Sequence, residues 1–169
     1  FSYRYYYYCY FCYKMTEINV QHLELILSLT EKYTLSGQCI AGIRSQVSIN
    51  ELDICFDMGF CSDMSVRQKN VLITHGHGDH IGSLHAHSFI RNIQKHTIPT
   101  YIMPKECIDS FNIAHDAYKC LNRHVDASKP HDLMKRKYNI IAIDDEYHKL
   151  NNKHIIRAFK TVHCVPSQA

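Results

Sequence analysis

Between residues 75 and 87 the chain reads HGHGDHIGSLHAH, with five histidines and one aspartate. His75 and His77 stand two apart, so on an extended backbone they face the same way and can reach one metal ion. Gly76 and Gly78 relax the backbone between them and leave room for a ligand. Asp79 and His80 fall at the start of a predicted helix and point elsewhere, which suits a second ion beside the first. Imidazole nitrogen and carboxylate oxygen are donors for zinc and similar borderline ions, the carboxylate where water must be activated. This density of donors at the end of an apolar run reads as a metal centre rather than a histidine-rich surface loop. His85 and His87 repeat the H-x-H spacing, but on a helix two such positions diverge by about 200°. They are expected on the helix surface or the substrate side. His115, His124, His131, His148 and His154 are isolated and are expected to be solvated or hydrogen-bonded.

The elements that must position the cluster can be read from periodicity. NVLITH is a short apolar run ending in polar residues, the pattern of a buried strand that presents its end to a site. In DHIGSLHAHSFIRNIQKH, apolar residues at 81, 84, 89, 90 and 93 predict a helix. Upstream, YTLSGQCIAGIRSQVSI reads as short strands broken at Gly37 and Gly42. ELDICFDMG continues as the second arm of a hairpin turned at NEL. Downstream, IPTYIMP is a strand, and KECIDSFNIAHDAYKCLNRH is a helix with Ile108, Phe111, Ala114 or His115, and Tyr118 on one face. DASKPHDLMKRKY is a loop, NIIAI a strand, DDEYHKLNNK a turn, and HIIRAFKTVH a strand with Ile156, Ala158 and Lys160 on one face. The stretch from Met15 to Leu29 fits a strand or a short helix. Strands followed by alternating strand and helix make an α/β fold with a mixed sheet.

Composition is consistent with this picture. The chain has 169 residues, 46% hydrophobic and 21% charged, with a net charge of +3 that permits a polyanionic substrate without requiring one. No run approaches the ~20 apolar residues that span a bilayer. The 8 cysteines show no disulfide-scaffold spacing. A reducing, cytoplasmic setting is expected, with nucleus or organelle left open. Cys9 and Cys12 form a single C-x-x-C pair without a second pair to complete a four-ligand zinc site, so they read as unrelated cysteines. The Tyr-rich segment 1–14 differs from the rest and lacks the order of a signal peptide. It is expected to be upstream read-through or a disordered tail, with the native start at Met15.

The segment THGHGDHIG has the T/S-H-x-H-x-D-H pattern and resembles the signature of the metallo-β-lactamase superfamily. CFDMGFC resembles the Asp-x-Gly segment that precedes this signature in ribonuclease Z. AFKTVHCVPSQA is similar to that family's next motif, and LNRHVDASKPHDL to a loop of its short form. The resemblance spans residues 33–169 and implies an αββα sandwich, here about its first half, with 15–169 as the N-terminal part of the domain. It implies that His75, His77 and His163 bind one zinc and that Asp79 and His80 bind the other. Asp79 would also hold or deprotonate the attacking water, and Asp57 would orient the ligand loop. Zinc, two ions in the complete site, is the implied cofactor, with manganese as a substitute. Precursor tRNA is the implied substrate, and a homodimer the implied assembly of the complete protein. Substrate-binding residues are not identified. Ser83 departs from the family's second glycine.

The family places further ligands downstream of the third motif. The 169 residues are therefore expected to be truncated and to show little or no phosphodiesterase activity with zinc or manganese. Two other readings stand beside this one. One is another hydrolase of the superfamily, such as a glyoxalase II-like thioesterase, against which HCVPSQ argues because those enzymes have a Gly-His-Thr turn there. The other is a non-catalytic fragment or pseudo-enzyme. Cys164, next to His163 on a predicted strand, is expected to point away into the core. Lys135 to Lys137 read as a solvated loop more readily than as a phosphate contact.

Overall fold

The computed structural model describes residues 25–28, 33–121, 137–143, 145 and 147–168. The expectations for residues 1–14, the Met15 start, Cys9, Cys12, His124 and His131 lie outside these.

Among the described residues a seven-stranded sheet runs in sequence order. Its strands are β1 (Leu25–Ser28), β2 (Thr34–Ile40), β3 (Arg44–Ile49), β4 (Ile54–Phe56), β5 (Asn70–Leu72), β6 (Thr100–Met103) and β7 (Asn139–Ala142). The first four pair antiparallel and the last four parallel. This is the mixed α/β sheet that the alternation of elements predicts. Parallel neighbours require crossovers, and helices supply the two that follow β5 and β6. The short α1 (Gly78–Ile81) leads into α2 (Leu84–Ile93) between β5 and β6, and α3 (Lys105–Leu121) follows β6.

The strand period of two sorts side chains onto opposite faces. Val71, Ile73, Tyr101 and Met103 pack with Leu84 of α2 and with Cys107 and Phe111 of α3 in the main core. Their neighbours Leu72, Ile102 and Ile141 face the other way, against Ile156 and Ala158. Those last two belong to, or directly follow, the hairpin of β8 (Tyr147–Lys149) and β9 (Ile155–Arg157). Helices therefore cover one face of the sheet and this hairpin lies on the other.

Several expectations are corrected here. Gly37 does not break β2. A Cβ there would sit 2.1 Å from the Gln46 carbonyl oxygen, so glycine serves the close pairing with β3. The turn lies at Gly42, whose φ of 71° is left-handed. The predicted turn DDEYHKLNNK contains a strand, stabilised by Tyr147 opposite Arg157, whose guanidinium sits 5.2 Å from the ring centroid. β9 ends at Arg157, and Lys160 is exposed.

The buried face of α2 is polar rather than the predicted apolar set. It consists of Leu84, His87, Ser88 and Arg91, while Ile93 is 75% exposed. His87 is fully buried, not on the surface: Nε2 faces the Gln68 carbonyl at 3.1 Å and Nδ1 the Tyr101 hydroxyl at 3.0 Å. Arg91 donates to the carbonyls of Val66, Arg67, Gln68 and Thr97 at 2.8–3.1 Å. Its cation caps the turn at Ser65–Arg67 and the loop before β6, so burial is offset by hydrogen bonds. On α3, His115 and not Ala114 joins the inner face, packed among Phe89, Phe111 and Tyr138. Lys137, the described member of the basic run, donates to Asn92 Oδ1 at 2.9 Å.

Candidate metal centre

Three segments converge beyond the end of β5. The first is the strand's own continuation, Ile73-Thr74-His75. The second is the loop after β4, where Asp57 adopts a left-handed φ of 58° and is fully buried. The third is the segment 160–168, which returns along the first. Gln168 N–H donates to the Thr74 carbonyl at 2.9 Å, and Ser167 forms a bridge with His75.

This return brings His163 to the cluster across 86 positions of sequence. His75, His77 and His163 each offer one ring nitrogen, all within 4.8 Å of one another. Among the described residues this is the group of three or more side chains that could hold an ion. His75 Nε2 stands 3.0 Å from His77 Nδ1. The His75 and His163 ring centroids are 4.5 Å apart, those of His77 and His163 5.0 Å. Burial, then the neighbouring imidazoles, push His75 down to about 4. The ring is therefore neutral at physiological pH, with a lone pair free for a ligand bond.

Asp79 and His80 stand beside this group. The His80 ring centroid is 4.0 Å from that of His75. His80 Nε2 lies 3.5 Å from Asp79 Oδ2, a separation one zinc-sized ion can bridge, given metal–ligand bonds of about 2.0–2.2 Å. Asp79 Oδ2 also accepts from the Gly42 N–H at 2.9 Å. Burial alone would lower the His80 pKa. The hydrogen bond from His80 Nδ1 to Asp57 at 2.8 Å, and the charges of Asp57 and Asp79, outweigh it and raise the value.

Asp57 reaches the cluster through Thr74 and His80. Its Oδ1 accepts from Thr74 N–H at 2.8 Å, both oxygens lie 3.0 Å from Thr74 Oγ1, and Oδ2 holds His80. Thr74 Oγ1 in turn meets His75 Nδ1 at 2.9 Å. Both ring orientations thus trace back to one buried carboxylate. Partners of this kind fix which imidazole nitrogen is left for a metal. The adjoining Met58 and Gly59 are fastened to α1 and the turn after it: Met58 N–H reaches the His80 carbonyl at 2.6 Å, and Ser83 Oγ the Gly59 carbonyl at 3.0 Å. Ser83, where the resemblance expects glycine, therefore secures this loop.

Sequence reasoning did not assign roles to Thr74, Gly42 or Ser45, whose Oγ lies 3.4 Å from His80 Nε2. Thr74 lies inside the signature pattern, but only its contacts reveal what it does. Cys164 is a correction. It is exposed, because residues 163 and 164 sit in a loop rather than in the strand whose alternation would have turned it inward.

No protein-family model matches the chain. It is 30% identical over 139 residues to the nuclear ribonuclease Z of Triticum aestivum, covering 82% of this chain and 73% of that protein. It is 31% identical over 142 residues to tRNase Z TRZ1 of Arabidopsis thaliana, covering 82% of this chain and 46% of that protein. The chloroplastic tRNase Z TRZ2 of Arabidopsis thaliana matches at 30% over 142 residues, 82% of this chain and 36% of that protein. The matched segment thus spans about half the length of TRZ1 and about a third of TRZ2. With these similarities, the mixed sheet and its histidine cluster define a protein of the metallo-β-lactamase fold. Within that fold, the chain belongs to the ribonuclease Z family.

Proposed function

We propose that residues 15–169 form part of one metallo-β-lactamase-like domain of a zinc-dependent endoribonuclease that trims the 3′ end of precursor tRNA. The convergence of His75, His77 and His163 carries this reading, because it joins the signature to a motif 86 residues away. Three imidazoles, of which His75 is both held neutral by burial and supported through Thr74 by a buried carboxylate, are a donor set that suits zinc. In this reading His75, His77 and His163 hold the first ion, and Asp79 and His80 contribute to the second. When bound, zinc would activate water near neutral pH and neutralise charge on a phosphodiester, and manganese could substitute for it. Asp79 orients the attacking water and takes up its proton. Asp57 keeps Thr74 and His80 in place. A homodimer fits the complete protein. The relatives named as nuclear and chloroplastic leave the compartment open, and no helix among the described residues is long and apolar enough to cross a membrane.

Among the described residues the second metal position has two donors, Asp79 and His80, so turnover is expected to be very low. A precursor tRNA with a 3′ trailer and a glutathione thioester, each offered to the zinc-loaded chain, separate the readings. The expected result is trace cleavage after the acceptor stem, leaving a 3′-hydroxyl and lost in His77→Ala, with the thioester untouched. Thioester hydrolysis, or a chain that binds no zinc, overturns the proposal.

A further inference from the structure

Gly76 joins the two halves of the signature. On one side of it, His75 takes its orientation from Asp57 through Thr74. On the other, His77 opens α1 as its N-cap, and its carbonyl accepts the N–H groups of His80 at 2.9 Å and Ile81 at 3.0 Å. Among the described residues no carboxylate or carbonyl holds the His77 ring, whose nitrogens face His75 Nε2 and Cys164 Sγ. Where that ring stands therefore follows from its backbone. Gly76 is not in the left-handed region, so backbone strain does not call for glycine there. Space does. A Cβ on Gly76 would meet Cys107 Sγ at 3.3 Å, closer than ordinary van der Waals contact. Apart from its chain neighbours, it would meet no other heavy atom of the described residues within 4 Å.

Cys107 lies in the first turn of α3 and belongs to the main core with Ile73 and Met103. Its N–H donates to the Pro104 carbonyl at 3.0 Å. A sulfur packed in a core and swung by a single torsion has little room to yield. Burial, then the Glu106 charge, push the thiol pKa up, so the group stays uncharged at physiological pH and acts by its bulk. We propose that Cys107 is a positioning residue: its thiol is the floor under Gly76, and through it the start of α3 sets where His77 and α1 stand. The inference rests on the metal-binding reading above and names a support that lies outside the ligand set. It gives position 76 a size limit, imposed by the sulfur packed against it.

Paired substitutions read this contact. Zinc affinity by chelator competition should fall roughly tenfold in Gly76→Ala, the low end of what loss of an outer supporting group costs, with the circular dichroism unchanged. Cys107→Ala withdraws the sulfur and makes room for the added methyl. The double variant Gly76→Ala/Cys107→Ala should therefore bind zinc more tightly than Gly76→Ala alone, the coupling that residues in contact show. Cys120→Ala, which removes an exposed thiol at the far end of α3, should give Gly76→Ala no such recovery. Cys107→Val adds bulk from the other side with Gly76 intact and should repeat the loss, so the contact is tested even where Gly76→Ala does not fold. Cobalt(II) separates support from ligation: the cobalt-loaded Cys107→Ala chain should keep the near-ultraviolet absorption of the unmutated one. Unchanged zinc affinity in Gly76→Ala or Cys107→Val, a double variant no better than Gly76→Ala, or a sulfur-to-cobalt band lost in Cys107→Ala defeats the positioning role alone. An unmutated chain that binds neither zinc nor cobalt defeats the metal-centre reading with it.

Discussion

His87 shows how a residue outside the metal cluster can govern stability. It is enclosed by Tyr101, the Gln68 carbonyl and the Arg91 guanidinium. Burial, then the Arg91 charge, push its pKa down to about 4 from 6.5. The unfolded chain binds this proton first, so between those values the unfolded state holds more protons and stability rises with pH. Acidifying through that window should cost up to about 3 kcal/mol from this group. Urea unfolding of the native chain and of His87→Gln across pH 4–7 checks it: the difference in midpoint should narrow as the pH falls. A constant difference would mean that His87 does not carry the effect.

At the scale of elements, the contact between the β4–β5 loop and α1 sets the placement of Asp79 and His80. A Cβ on Gly59 would stand 1.7 Å from the Asp79 carbonyl oxygen and 3.0 Å from the Ser45 backbone nitrogen. Backbone on two sides leaves no flexible end to yield. Gly59→Ala should push α1 off the loop and cost about 1–3 kcal/mol, the range for overpacking, read as a lower urea midpoint with unchanged m. An unaltered midpoint would show that α1 moves freely and that the loop does not position it. The same contact explains why Asp57 needs its left-handed backbone. The carboxylate must turn back under Thr74 while the next two residues reach α1.

At the scale of the whole molecule, the first metal position depends on a segment that returns to the parent strand from far along the chain. The return of residues 160–168 includes the Gln168 hydrogen bonds to the Thr74 and Ile73 carbonyls and the Ser167–His75 bridge, with Val162 83% exposed. A ligand that binds only the folded chain stabilises it by mass action. Zinc at a hundredfold excess over its Kd should therefore add about 2.7 kcal/mol, seen as a raised Tm that a chelator reverses. His163→Ala should lose most of that gain while leaving the zinc-free Tm nearly unchanged. Equal stabilisation of both proteins would place the metal elsewhere.

The sequence by itself determined the local facts. Short apolar runs defined β5 and β6, the three-to-four spacing defined α3, and HGHGDH identified donors whose chemistry does not depend on the surrounding fold. The hairpin at NEL was legible because its turn residues and flanking apolar runs lie within a few positions. The tertiary structure decided what depends on distant partners. His87 read as a surface residue, and Arg91 carried no reading, because their offsetting acceptors lie on other elements. Cys164 read as core because a strand was assumed where a loop forms. The third ligand of the first metal position, His163, existed in the sequence only as a resemblance. What brings His163 to His75 and His77 is pairing between residues 160–168 and the end of β5, a contact at a separation that no local periodicity records.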